Sequence, residues 1–192
     1  MMETSNTAPK RGVPLWAQIV IWAILGSLLV LLAITLGKRQ QGTVQPGEQI
    51  PDFTLTLYSG YEFEGRSEVK LSDLKGRVVV LNFWASWCKP CEQEAAELEQ
   101  AWRNYEPSGS VVFLGADYVD TEPEARIYMQ KFDITYPTGP DLATRISQLF
   151  RIQGVPETYF IDKQGVLQYV KIGPFSSVEE ITGQIDTLLA RE

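Results

Sequence analysis

Residues 78–91 have the sequence VVVLNFWASWCKPC, and this stretch decides the fold. An apolar, β-branched run ends in Trp84 and Trp87, and the two cysteines of the chain, Cys88 and Cys91, follow at once. A helical pattern begins directly after them. The run predicts a buried strand. A buried strand that delivers a Cys-x-x-Cys pair to the start of a helix is the arrangement that thiol–disulfide exchange needs.

The position of the pair at a helix start assigns a role to each cysteine. Cys88 lies where free N–H groups and the helix dipole favour an anion, so we expect a lowered thiol pKa and a reachable sulfur. Lys89 adds a positive charge, and Pro90 fits the first turn because its missing N–H would be unpaired there. We expect Cys91 to be less exposed. Exchange would then proceed by attack of Cys88, a mixed disulfide, and release by Cys91.

Three other interpretations of the pair are a structural disulfide, half of a zinc site, and two inert core cysteines. A structural bridge across so short a loop removes little chain entropy. Zinc needs four ligands, whereas the sequence has two cysteines and no histidine. The same absence excludes a Cys–His nucleophile pair. The sequence does not exclude the third interpretation, two inert core cysteines. We expect no metal and no cofactor.

Charge is distributed unevenly along the chain. Residues 1–41 hold four of the 17 basic and one of the 24 acidic residues, so the remainder carries a net charge of −10. So acidic a domain is a poor candidate for binding nucleic acid.

The segment 15–36, LWAQIVIWAILGSLLVLLAITL, has no charged residue. Its length of about 33 Å as a helix matches the hydrocarbon core of a bilayer. A buried core helix and a cleaved signal peptide are the alternatives, but the span is longer than a signal core and no Ala-x-Ala site follows. We expect a disordered tail over 1–14, a transmembrane signal anchor over 15–36, a linker over 37–47 and a folded domain over 48–192. Basic residues on both sides of the span leave its orientation open.

The pattern after the linker predicts an α/β domain in which parallel strands precede an antiparallel hairpin and a closing helix. The expected elements are a hairpin of 53–57 with 61–64, a helical turn at 71–76, a strand over 77–83, a helix over 89–105, a strand over 111–116, a helix from Thr121 to about Phe132, a short helix over 141–150, a hairpin of 155–161 with 166–172, and a last helix that begins at Ser176 or Ser177.

Two further features sit near the pair. Glu94 lies three residues after Cys91 on the same helix face, where a carboxylate could accept the proton that Cys91 loses. It could equally be one of several acids that complement the helix dipole. The bond between Val155 and Pro156 is either an ordinary proline at a strand edge or a cis bond that exposes backbone to a partner.

These motifs together resemble the membrane-anchored TlpA/ResA/DsbE(CcmG)-like thiol–disulfide oxidoreductases of the thioredoxin superfamily. The resemblance covers about residues 46–190 and rests on PDFTL (51–55), LSDLKG (71–76), VVVLNFWASWCKPCEQE (78–94), GVPETYFIDKQG (154–165) and the closing helix. It implies a thioredoxin-like fold, with a central mixed β-sheet flanked by helices and an N-terminal β-hairpin.

The resemblance also implies roles for individual residues. Cys88 is the nucleophile, Cys91 the resolving thiol and Glu94 the active-site glutamate. Substrate-binding residues would be Trp87, Val155, the cis-proline Pro156 and Glu157, the last matching an acidic residue of members that mature cytochromes. Asn82 stands where cytosolic thioredoxin has a buried aspartate, so proton handling would shift to Glu94. Peroxide-reducing relatives have Thr-x-x-Cys, whereas Ser86 stands only two residues before Cys88, which disfavours peroxidase activity.

The resemblance further implies a single-pass protein whose catalytic domain lies outside the cytoplasmic membrane. Its expected partners are protein thiols and disulfides, with apocytochrome c as the most specific substrate and a membrane-embedded thiol electron donor. The alternatives are a general extracytoplasmic disulfide reductase or oxidase, a redox-inactive binding module, and a thiol peroxidase.

Overall fold

The computed structural model describes residues 14–39 and 44–191 and divides the chain between residues 42 and 43 into two compact units. In the first unit, helix α1 spans Leu15–Arg39. The part from Leu15 to Ala33 is long and apolar enough to cross a membrane, and none of it is buried inside the protein. This helix is therefore a candidate membrane span. The helix extends three residues into the segment predicted as a linker, and the boundary between anchor and linker at residue 37 stays a prediction.

Other predictions for the N-terminal segment fall on residues outside the described part. The tail predicted over 1–14 is described only at Pro14, whose carbonyl oxygen accepts hydrogen bonds from the N–H groups of Ala17 and Gln18. Residues 40–43 of the predicted linker also lie outside the described residues.

The second unit alternates strands and helices. Its elements in chain order are β1 Thr54–Thr56, β2 Glu68–Lys70, a 3₁₀ turn Leu71–Leu74, β3 Val78–Trp84, α2 Lys89–Tyr105, β4 Val111–Asp117, α3 Glu122–Lys131, β5 Thr138–Pro140, α4 Arg145–Phe150, β6 Glu157–Ile161, β7 Leu167–Ile172 and α5 Val178–Leu189.

The main sheet has the strand order β5-β4-β3-β6-β7. Strands β3, β4 and β5 are parallel, whereas β6 and β7 are antiparallel to their neighbours. The carboxyl ends of the three parallel strands and the start of β6 therefore meet at one edge. Strand β3 is central and buried at every position, which explains its continuous apolar sequence.

The two faces of β3 pack against different layers. Val80 and Trp84 belong to the core formed with α2, α3 and α5. Leu81 and Phe83 belong to the core formed with the N-terminal hairpin and α4. Asn82 shares the face of Val80 and Trp84, because side chains alternate along a strand, and so it points toward α2. The fold thereby buries an amide beneath the helix that carries the cysteines.

The structure corrects the predicted partner of the first strand. Strand β1 pairs with Glu68–Lys70 and not with residues 61–64. Phe63 instead exchanges two backbone hydrogen bonds with Arg66, and Glu64 and Gly65 between them have positive φ angles of 51° and 76°. Residues 61–66 therefore form this tight reversal, and the strand that pairs with β1 begins only at Glu68.

Two further expectations were incomplete. Strand β5 was not predicted, because three residues give too short a pattern. The short helix expected over 141–150 is broken, since Ala143 and Thr144 adopt left-handed conformations with φ of 54° and 55°. The buried carboxylate of Asp141 then accepts hydrogen bonds from the N–H groups of Ile146 and Ser147, at 2.8 and 2.9 Å. The regular helix α4 therefore starts at Arg145.

Candidate active site

Cys88 and Cys91 lie at the carboxyl end of β3, where the chain enters α2. Cys88 is the N-cap residue of α2 and forms a disulfide bond with Cys91. Its sulfur accepts a hydrogen bond from the Cys91 N–H at 3.1 Å, and Pro90 occupies the first turn. In the reduced protein the same N–H and the helix dipole favour a thiolate on Cys88. The local structure therefore suits Cys88 as the nucleophile.

Both cysteines are buried in the disulfide form. Cys88 is 3% exposed and Cys91 is 1% exposed, so the expected contrast between an open and a covered sulfur is small. The carbonyl oxygen of Val155 lies 3.5 Å from the Cys88 sulfur and helps to shield it from solvent.

The segment facing the pair is the start of β6. The bond between Val155 and Pro156 is cis, as the resemblance implied. Pro156 is buried, whereas Val155 is only partly so, and its carbonyl group is directed at Cys88. A backbone carbonyl beside a reactive sulfur is a feature that an extended polypeptide can use for hydrogen bonding.

Glu94 is a buried acid beneath the pair, 1% exposed. Its Oε1 accepts a hydrogen bond from Asn82 Nδ2 at 2.9 Å, and its Oε2 accepts one from the Phe175 N–H at 3.1 Å. Burial is the main cause that raises the pKa of Glu94 to about 7, and the two hydrogen bonds oppose it. A carboxyl group with this pKa can take up and release a proton near neutral pH.

Asn82 connects the acid to the start of the second hairpin. Its Nδ2 also donates a hydrogen bond to Thr158 Oγ1 at 2.9 Å, next to the cis-proline segment. Asn82 is 2% exposed and does not titrate. Of this buried pair of side chains, Glu94 alone is able to carry a proton.

Sequence reasoning did not find one further contact of the resolving cysteine. The hydroxyl of Tyr128, on α3, donates a hydrogen bond to the carbonyl oxygen of Cys91 at 2.8 Å. The Tyr128 ring stacks on Trp84, with 4.6 Å between the ring centroids. A tyrosine within an ordinary helical pattern carries no signal of this kind.

The two tryptophans of the motif differ in their surroundings. Trp84 is buried and donates a hydrogen bond from Nε1 to Thr138 Oγ1 at 3.2 Å. Trp87 is 57% exposed, and its Nε1 donates to the carbonyl oxygen of Val119 at 3.1 Å. Val119 is itself 59% exposed and has a positive φ of 49°. Trp87 therefore presents an apolar ring beside the disulfide.

Glu157, which was expected to bind substrate, has intramolecular partners in this structure, and its contact with substrate stays a prediction. It is 1% exposed, and its Oε1 accepts hydrogen bonds from the N–H groups of Gln153 and Gly154, at 2.7 and 3.2 Å. Its Oε2 accepts a hydrogen bond from the hydroxyl of Tyr159 at 2.6 Å. The carboxylate faces inward and holds the loop that leads to the cis-proline, because its partners are all internal.

Glu157→Ala should lower the free energy of unfolding by about 3 kcal/mol, since it leaves two amides and a hydroxyl without their acceptor. Urea denaturation of the oxidised domain measures this loss. Glu157→Gln keeps one acceptor oxygen and should lose about half as much. Glu68→Gln, at an exposed position of β2, serves as the matched control. A loss below about 1 kcal/mol for the alanine variant contradicts the anchoring role.

Metal ligation is not supported in the part of the chain that the structure describes. Residues 14–39 and 44–191 contain no group of three or more His, Cys, Asp or Glu side chains that could hold a metal ion. The polar groups around the pair are instead arranged to bind protons and backbone.

Comparison with known proteins agrees with this site. The chain matches the AhpC/TSA family over residues 46–170. It belongs to that family. This AhpC/TSA-family protein is 34% identical over 146 residues to the thioredoxin-like protein YneN of Bacillus subtilis, covering 76% of this chain and 81% of the relative. It is 31% identical over 146 residues to the thiol-disulfide oxidoreductase ResA of Bacillus cereus, covering 76% and 79%.

A solved structure supports the same conclusion. The crystal structure assigned to a thiol:disulfide interchange protein DsbE from Chlorobium tepidum matches with a TM-score of 0.68 and 26% identity, over 77% of this chain and 100% of that chain. The AhpC/TSA-family protein therefore has a thioredoxin-like fold and is a thiol–disulfide oxidoreductase of the ResA/DsbE type, with Cys88 and Cys91 as its Cys-x-x-Cys pair.

Proposed function

We propose that the protein is a membrane-anchored reductase of protein disulfides that acts outside the cytoplasmic membrane. Its substrate is the cysteine pair of apocytochrome c before haem attachment, and a membrane-embedded thiol donor re-reduces it. The anchor is the segment 15–36, and the catalytic domain is the segment 48–192. The named relatives support disulfide exchange, whereas the substrate and the donor come from the resemblance that the motifs carry.

The observation that carries the proposal is the surface around Cys88. The Val155 carbonyl oxygen lies 3.5 Å from the Cys88 sulfur, and the Trp87 ring is exposed on the adjoining loop. A backbone acceptor and an apolar ring beside one disulfide suit an extended polypeptide that presents its own cysteine. Val155, Pro156 and Trp87 are thus the proposed substrate-binding residues.

The proposed reaction moves two electrons from the protein to the substrate. The Cys88 thiolate attacks one substrate sulfur, which breaks the substrate disulfide and forms a mixed disulfide. Cys91 gives its proton to the Glu94 carboxylate and attacks the Cys88 sulfur. The second substrate thiolate leaves, takes up a proton, and the protein keeps the Cys88–Cys91 disulfide that the structure contains. The donor dithiol then reduces this bond and is itself oxidised.

Two features support the location. Helix α1 is a candidate membrane span near the N-terminus. The sequence contains two cysteines, both in the reactive pair, which suits an oxidising compartment because a further free thiol would be open to oxidation there.

Gene deletion followed by haem staining tests the cytochrome role. We expect the deletion strain and a Cys88→Ser strain to lack c-type cytochromes, and the wild-type gene to restore them. External dithiothreitol should also restore them, because it supplies the missing reductant. Normal cytochrome levels in the deletion strain would contradict this role and would leave a general extracytoplasmic reductase or oxidase.

The remaining alternatives have their own assays. A redox-inactive binding module would retain its partner in the Cys88→Ser variant and would not exchange disulfides. A thiol peroxidase would consume hydrogen peroxide directly with stoichiometric loss of thiol. Ser86 stands two residues before Cys88, so we expect no such consumption.

A further inference from the structure

Asp117 is a buried acid that the reaction above does not use. It is the last residue of β4 and pairs in register with Trp84, from which the chain enters the active-site loop. Asp117 is 2% exposed. Its Oδ2 accepts a hydrogen bond from the hydroxyl of Tyr58 at 2.7 Å, whereas its Oδ1 is buried without a donor. A buried carboxylate oxygen without a donor is costly unless the group binds a proton.

Asp120 provides the acceptor for such a proton. It follows Asp117 by three residues, and as a negative charge and a side-chain hydrogen-bond partner it raises the pKa of the Asp117 carboxyl group. Its Oδ2 accepts a hydrogen bond from the Ser86 N–H at 2.6 Å, and its Oδ1 accepts one from the Thr121 N–H at 2.7 Å. Two carboxylates that contact each other are both acceptors, so one proton between them removes the repulsion and supplies the missing hydrogen bond.

We propose that Asp117 and Asp120 share one proton, and that this proton holds the loop 85–87 in place and makes Asp117 a positioning residue for Cys88. Asp120 is connected to Cys88 through a few atoms, because its carboxylate accepts a hydrogen bond from the Ser86 N–H, and Ser86 precedes Cys88 by two residues. The proposal rests on the thiol–disulfide exchange itself and is independent of which protein is the substrate.

The charged groups around Asp117 are consistent with a shared proton. Burial, and to a lesser extent Asp120, raise the pKa of Asp117 to about 7, and the hydrogen bond from the Tyr58 hydroxyl opposes the rise. Arg126 lies over the Tyr58 ring at 5.5 Å, but its guanidinium pairs with Glu122 at 2.7 Å.

Asp141, which follows β5, is another acid near Asp117. The Asp141 N–H donates a hydrogen bond to the carbonyl oxygen of Asp117 at 2.9 Å, while the Asp141 carboxylate is held by the start of α4. The cation over the Tyr58 ring is thus paired with Glu122, and the Asp141 carboxylate is held by amides. A proton bound by Asp117 would neutralise its buried charge.

The proposal predicts how the redox equilibrium changes with pH. At pH 5.5 the pair holds its proton, and Asp117 is neutral. At pH 8.5 Asp117 is ionised, and its charge disfavours the thiolate of reduced Cys88, while the disulfide, which has no charge, is unaffected. Asp117→Asn imitates the protonated acid. It should therefore match the wild type at pH 5.5 and should favour the reduced form by about threefold at pH 8.5, which corresponds to half a pKa unit.

The experiment measures the equilibrium constant with glutathione at both pH values, together with the carbon-13 titration of the Asp117 carboxyl group. Tyr58→Phe removes the hydrogen bond that favours the carboxylate, so the midpoint should move up by about one pH unit. Asp120→Asn removes the neighbouring charge, so the midpoint should move down by a similar amount. Each measurement is repeated with Glu94→Gln added to the wild type and to every variant. This removes Glu94, the other group whose pKa is about 7.

A merely structural role gives a different result. The proposal is wrong if Asp117→Asn changes the glutathione equilibrium by the same factor at both pH values. It is also wrong if the variant changes the equilibrium at neither pH. If that variant does not fold, the opposite shifts of the Asp117 midpoint in Tyr58→Phe and Asp120→Asn decide. Shifts in the same direction, or none, overturn the shared proton.

Discussion

Cys88→Ser should lose disulfide exchange by a factor on the order of 1,000 or more, because a serine hydroxyl is not ionised near neutral pH and cannot attack a disulfide sulfur. Reduction of insulin by dithiothreitol, followed as turbidity, measures the loss. Glu68→Gln, exposed on β2, is the control and should keep full activity. A Cys88→Ser variant with wild-type activity would overturn the assignment of the nucleophile.

The same variant should remain folded, which makes the loss of activity chemical. The Cys88 side chain caps α2 by accepting the Cys91 N–H, and serine is a favourable residue at this position. The disulfide closes a very short loop, so its absence removes little stabilisation. Circular dichroism and urea denaturation of the variant check this expectation.

Glu94→Gln should slow turnover by roughly 100-fold, because glutamine cannot accept the proton of Cys91. Glu68→Gln, at an exposed position of β2, is the control and should keep its activity. The wild type should show a kinetic ionisation near pH 7, which the pKa of Glu94 of about 7 predicts, and Glu94→Gln should lack it. An unchanged pH profile in Glu94→Gln would contradict the proton-acceptor role.

The same substitution should change stability in opposite directions at acidic and alkaline pH. The pKa of Glu94 rises from 4.5 to about 7 on folding. The folded protein thus binds this proton more tightly, so the contribution of Glu94 to stability is fully present below pH 4.5 and is lost as the pH rises through 7. The total loss is about 3 kcal/mol.

Glutamine does not titrate, but it loses one of the two hydrogen bonds that Glu94 accepts, at a cost of about 1 kcal/mol. Glu94→Gln should therefore be less stable than the wild type by about 1 kcal/mol at pH 4 and more stable by about 2 kcal/mol at pH 8. Urea denaturation of the oxidised protein at both pH values tests the reversal. A difference of the same size at both pH values would contradict a raised pKa of Glu94.

The regular part of the fold was predictable because its sequence signals are local. Apolar runs predicted β3 and β4, and amphipathic patterns predicted α2 and α5. The predicted ends of these elements agree with the observed ends to within a few residues. The partner of β1 was not predictable in the same way. Tyr61 to Glu64 alternates like a strand, yet the Phe63–Arg66 reversal depends on left-handed angles at Glu64 and Gly65, which a period-two pattern does not reveal.

The site was predictable where chemistry depends on spacing along one element. The positions of Cys88, Cys91 and Glu94 follow from helix geometry, and the structure adds the environment that sets the pKa of Glu94. Asp117 and Tyr128 were missed because they reach the site from β4 and α3, through contacts between residues distant in sequence. The burial of Glu157 was not predictable either, because residue type does not show which way a strand side chain faces.

We propose that Cys88 attacks substrate disulfides and that Cys91 resolves the mixed disulfide. The intact mass of the Cys91→Ser variant after incubation with a protein disulfide tests both roles. We predict a stable adduct of one substrate chain, which peptide mapping places on Cys88 and dithiothreitol removes. Absence of an adduct under conditions in which the wild type reduces the same disulfide would contradict the account.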